Sequence, residues 1–225
     1  ALRGLNLTVA PGEVYALLGP NGAGKTTTIN TLLGFEHPDS GSAMVNGVDV
    51  SRDTLRARRQ IAYIPEQVQL YPRLSGVENL DYFHRLSDTG YLSGSALRTC
   101  LLDAGLQEEA LNRRVSAYSK GMRQKVGIAI AMARQAPVML LDEPTSGLDP
   151  QAAWEFGQSL HQLAERGVAI LMATHDLFRA REIANRVGIL KAGTLIADMD
   201  AAALAASDLE QVYLQQIRQP TSAGT

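Results

Sequence analysis

The sequence predicts an α/β protein built on a parallel sheet, with an antiparallel β side-sheet and a helical lobe. Three observations predict it. The apolar run Val14-Tyr15-Ala16-Leu17-Leu18 feeds a glycine-rich turn and then a helical segment at 25–33 that Gly34 stops. Apolar runs at 138–141 and 168–173 flank a helical pattern at 151–166. Between 74 and 115 the strand signals fade and helical spacing replaces them, as in Val77, Leu80 and Phe83, then Leu97, Leu101 and Leu102. Two strands joined through a helix pair in parallel, since a parallel neighbour needs a long crossover.

The remaining elements follow in order. Gly12, Gly41 and Gly47 punctuate short β-like pieces, with strands expected at 42–46 and 60–64. The helical lobe is expected at about 71–118, interrupted by a loop around Asp88-Thr89-Gly90. The sheet core is then expected at about 1–70 and 119–199. A last helix at about 208–218 carries Leu209, Val212, Tyr213 and Ile217 on one face, and the polar end at 220–225 is expected to fray. A chain of 225 residues that is 45% hydrophobic can bury one core, so 1–219 is read as a single domain with two lobes.

Composition narrows the partners. Twenty-one basic residues against 23 acidic ones leave a net charge of −2, and no basic block marks a nucleic-acid footprint, so no nucleic-acid partner is expected. One cysteine, Cys100, rules out an internal disulfide and reads as a packed thiol. The longest apolar stretches, such as 128–133, fall far short of the ~18 residues that span a bilayer. The chain opens on Ala1-Leu2-Arg3-Gly4 without an initiator methionine, and part of the natural N-terminus is expected to precede it.

Chemistry concentrates in a few short segments. Gly19-Pro20-Asn21-Gly22-Ala23-Gly24-Lys25-Thr26-Thr27 has the phosphate-loop spacing, in which glycines let backbone N–H groups turn inward around phosphate oxygens. The helix behind it adds a positive dipole end. Lys25 is placed to meet the β and γ phosphates and Thr26 to offer its hydroxyl to Mg²⁺. Asp142 and Glu143 close a buried strand, where parallel sheets bind ligands. Tyr118-Ser119-Lys120-Gly121-Met122-Arg123-Gln124 opens an apolar helix. Ser119 there reads either as an ordinary N-cap or, with the Gly121 N–H, as a ligand for a phosphate brought by another subunit.

Taken together, and in this order along the chain, these segments resemble the ATP-binding cassette ATPases, the exporter-type branch with a Ser-Lys-Gly-Met-Arg-Gln signature in particular. The resemblance runs from Leu5 to about Ile217 and implies a P-loop NTPase with a RecA-like core. It implies an ATPase that uses ATP and Mg²⁺, with Glu143 as general base, Asp142 ordering the metal shell and His175 as the switch that senses the γ-phosphate. Gly19 through Thr27 would hold ATP, together with Ser119, Gly121 and Met122 of a second copy. Asp149, in Ser146-Gly147-Leu148-Asp149, would touch that copy across the dimer. Thr26, Asp142 and either Glu66 or Gln67 would serve the metal, since Tyr63-Ile64-Pro65-Glu66-Gln67 puts a glutamate where most members have glutamine. Family members stack adenine on an aromatic ring upstream of the first strand. None precedes Leu5, so this chain is expected to stack adenine weakly unless the preceding N-terminal residues restore the ring.

The implied partners are a second cassette, identical or related, and a multi-span membrane permease docked near residues 67–75, with the chain peripheral at the cytoplasmic face of the membrane. Export is favoured over import. The alternative is a soluble cassette ATPase acting on DNA or in translation. Against it, no long coiled coil separates the phosphate loop from the signature, and one cassette is present rather than two. A GTP switch would carry Asn-Lys-x-Asp, which does not occur.

Overall fold

In the computed structural model, residues 1–87, 90–206 and 209–218 are described. Strand β1 (Val14–Leu18) runs into the glycine-rich turn and helix α1 (Lys25–Leu32). A two-stranded antiparallel hairpin, β2 (Met44–Val45) and β3 (Val48–Asp49), precedes helix α2 (Thr54–Arg59) and strand β4 (Ile61–Ile64). The helical lobe holds α3 (Gly76–Arg85) and α4 (Gly94–Asp103), and α5 (Lys120–Arg134) leads out of it. The chain then alternates β5 (Val138–Asp142), α6 (Pro150–Glu165), β6 (Ala169–Thr174) and α7 (Leu177–Ile183). It closes with β7 (Arg186–Lys191), β8 (Thr194–Asp200), α8 (Ala201–Ala206) and α9 (Leu209–Arg218).

Six strands form one sheet in the order β4-β5-β6-β1-β7-β8. All neighbours pair in parallel except β8, which returns antiparallel beside β7. Alternation along β1 explains why the sheet is buried on both faces. Val14, Ala16 and Leu18 enter one core, while Tyr15 and Leu17 enter the other. β6 divides likewise, with Ile170 and Met172 on the first side and Leu171 and Ala173 on the second. A strand covered twice needs apolar residues at every position, hence the unbroken apolar runs. The first core continues into the lobe through Leu80, Leu97 and Leu101.

Local signals set the helix ends. Ser75 and Glu78 form a reciprocal capping box on α3, Ser93 caps α4, and Asp149 caps α6 with Pro150 in its first turn. Asn79, fully buried, accepts from the Tyr71 N–H and donates to the Tyr71 and Ser75 carbonyls. That clamp fixes the loop entering the lobe.

Several expectations shift. The strand expected at 42–46 is reduced to Met44 and Val45, and the antiparallel side-sheet is correspondingly small. The hairpin of β7 and β8 and the short helix α2 had no counterpart in the sequence reading. The last helix is described from Leu209, which is buried, with Val212 and Tyr213 packed on the core. Asp208, the side chain of Ile217, the tail at 220–225 and Asp88-Thr89 lie outside the described residues. Among the described residues no helix is long and apolar enough to cross a membrane.

Replacing Asn79 with alanine leaves the part-buried Tyr71 N–H without its partner and takes a donor from the Tyr71 and Ser75 carbonyls, the first of which keeps the Leu74 N–H. Urea unfolding of the variant is expected to show a loss of roughly 2–3 kcal/mol.

Candidate nucleotide site

The parallel register gathers the site. Leu18 pairs with Thr174 and Asp142 with Ala173, so the carboxyl ends of β1, β5 and β6 lie level. Each strand is followed by a loop carrying a polar side chain. These are the glycine-rich turn after β1, Asp142 and Glu143 at the end of β5, and Thr174 and His175 at the end of β6.

Within the turn, each glycine has its own reason. Gly24, the N-cap of α1, has φ 110° and Gly22 φ 80°, backbone that side chains disfavour. Gly19 is required for space: a Cβ there would stand 2.4 Å from the Leu190 carbonyl at the end of β7. Pro20 accepts from the Ala23 N–H, which tightens the turn, while Asn21 and Gly22 are exposed. Thr27 follows in α1, where its carbonyl accepts from the Thr31 hydroxyl.

Lys25 is 6% exposed and folds back over the turn, its Nζ donating to the Gly19 carbonyl at 2.7 Å and to Pro20 at 3.3 Å. It also lies 3.4 Å from Glu143 Oε1. Glu143 adopts φ 46°, a left-handed conformation unusual for a residue with a side chain. Its other oxygen, Oε2, lies 2.9 Å from His175 Nδ1 and accepts from the Thr174 hydroxyl and the His175 N–H, both at 3.3 Å. Lys25, Glu143 and His175 thus form a continuous chain of polar contacts. Thr174 belongs to it and was not anticipated, although its place one residue before His175 was a usable signal.

Thr26 donates its hydroxyl to Asp142 Oδ2 at 3.2 Å. Burial pushes the Asp142 carboxyl above the usual range. The Glu143 and Glu66 charges add to that rise, and the Thr26 hydrogen bond and Lys25 oppose it. Such a carboxylate favours a cation. Among the described residues no cluster of three or more His, Cys, Asp or Glu could cage a metal. The Thr26–Asp142 pair therefore suits an ion that takes most of its ligands from phosphate and water, as Mg²⁺ does. Of the two residues open at the next position, Glu66 is on this side, accepting from the Ser146 hydroxyl at 3.2 Å and adding its charge to the field at Asp142. Gln67 instead lines a cleft of about 450 Å³ between core and lobe, with Val68, Leu70, Pro72, Lys120 and Arg123.

Ser119 is exposed and caps α5, its Oγ accepting from the Met122 N–H at 3.2 Å. No hydrogen bond among the described residues joins it to the phosphate turn of its own chain. Gly121 packs against α6, where a Cβ would stand 3.3 Å from that of Ala152. Asp149 is exposed and caps α6 through the Ala152 N–H. Tyr15, the aromatic residue on β1, is buried and bonded to Asp198, so its ring is part of the core.

The family model described as ABC transporter matches residues 2–146. The chain is 37% identical over 206 residues to the Nod factor export ATP-binding protein I of Paraburkholderia xenovorans (strain LB400), covering 92% of this chain and 68% of that one. It is 37% identical over 198 residues to the daunorubicin resistance ATP-binding protein DrrA3 of Streptomyces coeruleorubidus, covering 88% and 63%. Among solved structures, the dimeric, post-hydrolysis ATP-binding cassette MJ0796 bound to ADP and Pi superposes with a TM-score of 0.78. It is 30% identical, with 89% of this chain and 90% of that chain covered.

The raised Asp142 carboxyl carries a sign. Below the ordinary carboxylate range Asp142 is neutral in both folded and unfolded chains and costs nothing. As pH rises from the ordinary carboxylate value to the raised folded one, the unfolded chain releases its proton first and the fold is progressively destabilised. Asp142→Asn is therefore expected to raise the melting temperature of the nucleotide-free chain near pH 7, with the gain fading toward about pH 4.

Proposed function

The chain belongs to the ABC transporter family as its ATP-binding, ATP-hydrolysing cassette, and from that premise we propose how its residues do the work and what they drive. One observation carries the reading: Lys25, Thr26, Asp142, Glu143 and His175 converge at one sheet edge, while Ser119 stands exposed elsewhere on the chain with no bond to that edge. A site missing its last wall is completed by a second copy. Each triphosphate then sits between the turn from Gly19 to Thr27 of one chain and Ser119, Gly121 and Met122 of the other, with Asp149 at the dimer contact.

In the resting site Lys25 is held by two carbonyls and Glu143. Triphosphate oxygens compete for its ammonium, and Glu143 is released to accept a proton from the attacking water. His175, against the other oxygen of Glu143, keeps that carboxylate aimed and reaches toward the γ-phosphate. Thr26, Asp142 and Glu66 would hold Mg²⁺, with Gln67 beyond their cluster. Bound Mg²⁺ would spread the charge developing on the phosphate oxygens.

ABC ATP-binding proteins pair and work with membrane permeases. For this chain the cleft beside Gln67 is the proposed docking surface, from the cytoplasmic face of the membrane. Supporting it, Tyr71 and Tyr82 are exposed next to the cleft residues Leu70 and Pro72, with ring centroids 4.7 Å apart. Relatives named for Nod factor export and daunorubicin resistance favour export. A soluble cassette acting on DNA or in translation finds no comparable support.

Glu143→Gln is expected to slow hydrolysis by about 10²–10⁴ while ATP binding persists. Size-exclusion chromatography of this variant with ATP and Mg²⁺ should then show a dimer, and a persistent monomer would contradict the shared site. Glu66→Ala should raise the Mg²⁺ concentration needed for half-maximal hydrolysis by about tenfold, whereas Gln67→Ala should leave it unchanged.

A further inference from the structure

Gln124 lies in α5 just past the exposed Ser119 cap and is 1% exposed. Its Nε2 donates to the Pro144 carbonyl at 3.0 Å and to the Glu66 carbonyl at 3.3 Å. Because both neighbours of that end are acceptors, the amide has one admissible orientation. Its Oε1 is buried and meets no donor among the described residues. Buried polar atoms are nearly always paired, and a methionine of similar volume would fill this space without leaving an orphaned acceptor. Packing alone does not account for a glutamine here.

The two carbonyls give the reason. Glu66 carries the carboxylate that accepts from the Ser146 hydroxyl and whose charge is felt at Asp142, and Pro144 directly follows Glu143. One amide therefore ties the loop after β4 and the loop after β5 to the helix that begins at Ser119. It also lines the cleft between the lobes, so it stands between the proposed docking surface and the carboxylates.

We propose that Gln124 is a positioning residue for hydrolysis. It holds the Glu66 and Glu143 loops at a fixed separation from α5 and passes movement of the helical lobe to both. The inference rests on the reading of Glu143 as general base. It predicts an effect on kcat rather than on nucleotide affinity, because the turn that binds phosphate is built on β1 and β7 without Gln124.

The test is steady-state ATP hydrolysis by the purified chain and its Gln124→Met and Gln124→Glu variants from about pH 5.5 to about pH 8.5, beside equilibrium ATP binding and thermal unfolding. Gln124→Met removes the donor at nearly constant volume and should lower kcat about tenfold with KM within about twofold. Gln124→Glu presents a carboxylate to two carbonyls at neutral pH and a single O–H donor once protonated. Its kcat relative to the unmodified chain should therefore rise toward acid. An unchanged kcat in Gln124→Met, or a kcat loss matched by lost ATP affinity, would overturn the proposal. A pH-independent ratio in Gln124→Glu would do the same, and this arm decides if the methionine variant does not fold. Should the unmodified chain bind ATP yet hydrolyse none, the reading of Glu143 falls, and this inference with it.

Discussion

Parallel pairing of β1 with β6, and of β6 with β5, sets Leu18 beside Thr174 and Asp142 beside Ala173, and the polar side chains at the carboxyl ends of these strands hang from that register. A slip of one residue in any of these strands would exchange its two buried faces and carry its terminal side chain out of reach. Register is defended on both sides of the sheet, because consecutive residues of β1 and β6 enter different cores. The precision of the site therefore comes from ordinary apolar packing far from any phosphate.

On that frame the electrostatics are unfinished in a useful way. Lys25 is buried and leans on carbonyls and Glu143, Asp142 is held above its usual pKa by burial, and Glu143 occupies a left-handed backbone position. The burial of the Asp142 carboxyl is a local cost that a bound cation would offset. A ligand that offsets it would stabilise the folded chain in proportion to its binding.

Much of the fold and of the core edge was legible because it rests on near-neighbour signals: apolar runs for β1, β5 and β6, glycine spacing for the phosphate turn, and capping residues for the helices. What escaped depends on contacts between distant segments. The β7–β8 hairpin mixes charged and apolar residues, and Arg186 is settled there by Asp198 across the hairpin. Glu66 and Gln67 are adjacent oxygen donors in sequence and separate only once the chain turns one to the Ser146 hydroxyl and the other into the cleft. Gln124 bonds to backbone carbonyls, which carry no residue signature. Ser119 was legible in both of its senses, since its present bond to Met122 makes it an N-cap while its exposure leaves it open to a partner's phosphate.

Subunit complementation tests the site shared between two chains most directly. A Lys25→Ala chain keeps a sound signature and a Ser119→Arg chain keeps a sound phosphate turn, so neither hydrolyses ATP alone, while their mixed dimer rebuilds one complete site. Mixing the two purified variants is expected to restore hydrolysis absent from either. A mixture as inactive as its components would contradict the shared site.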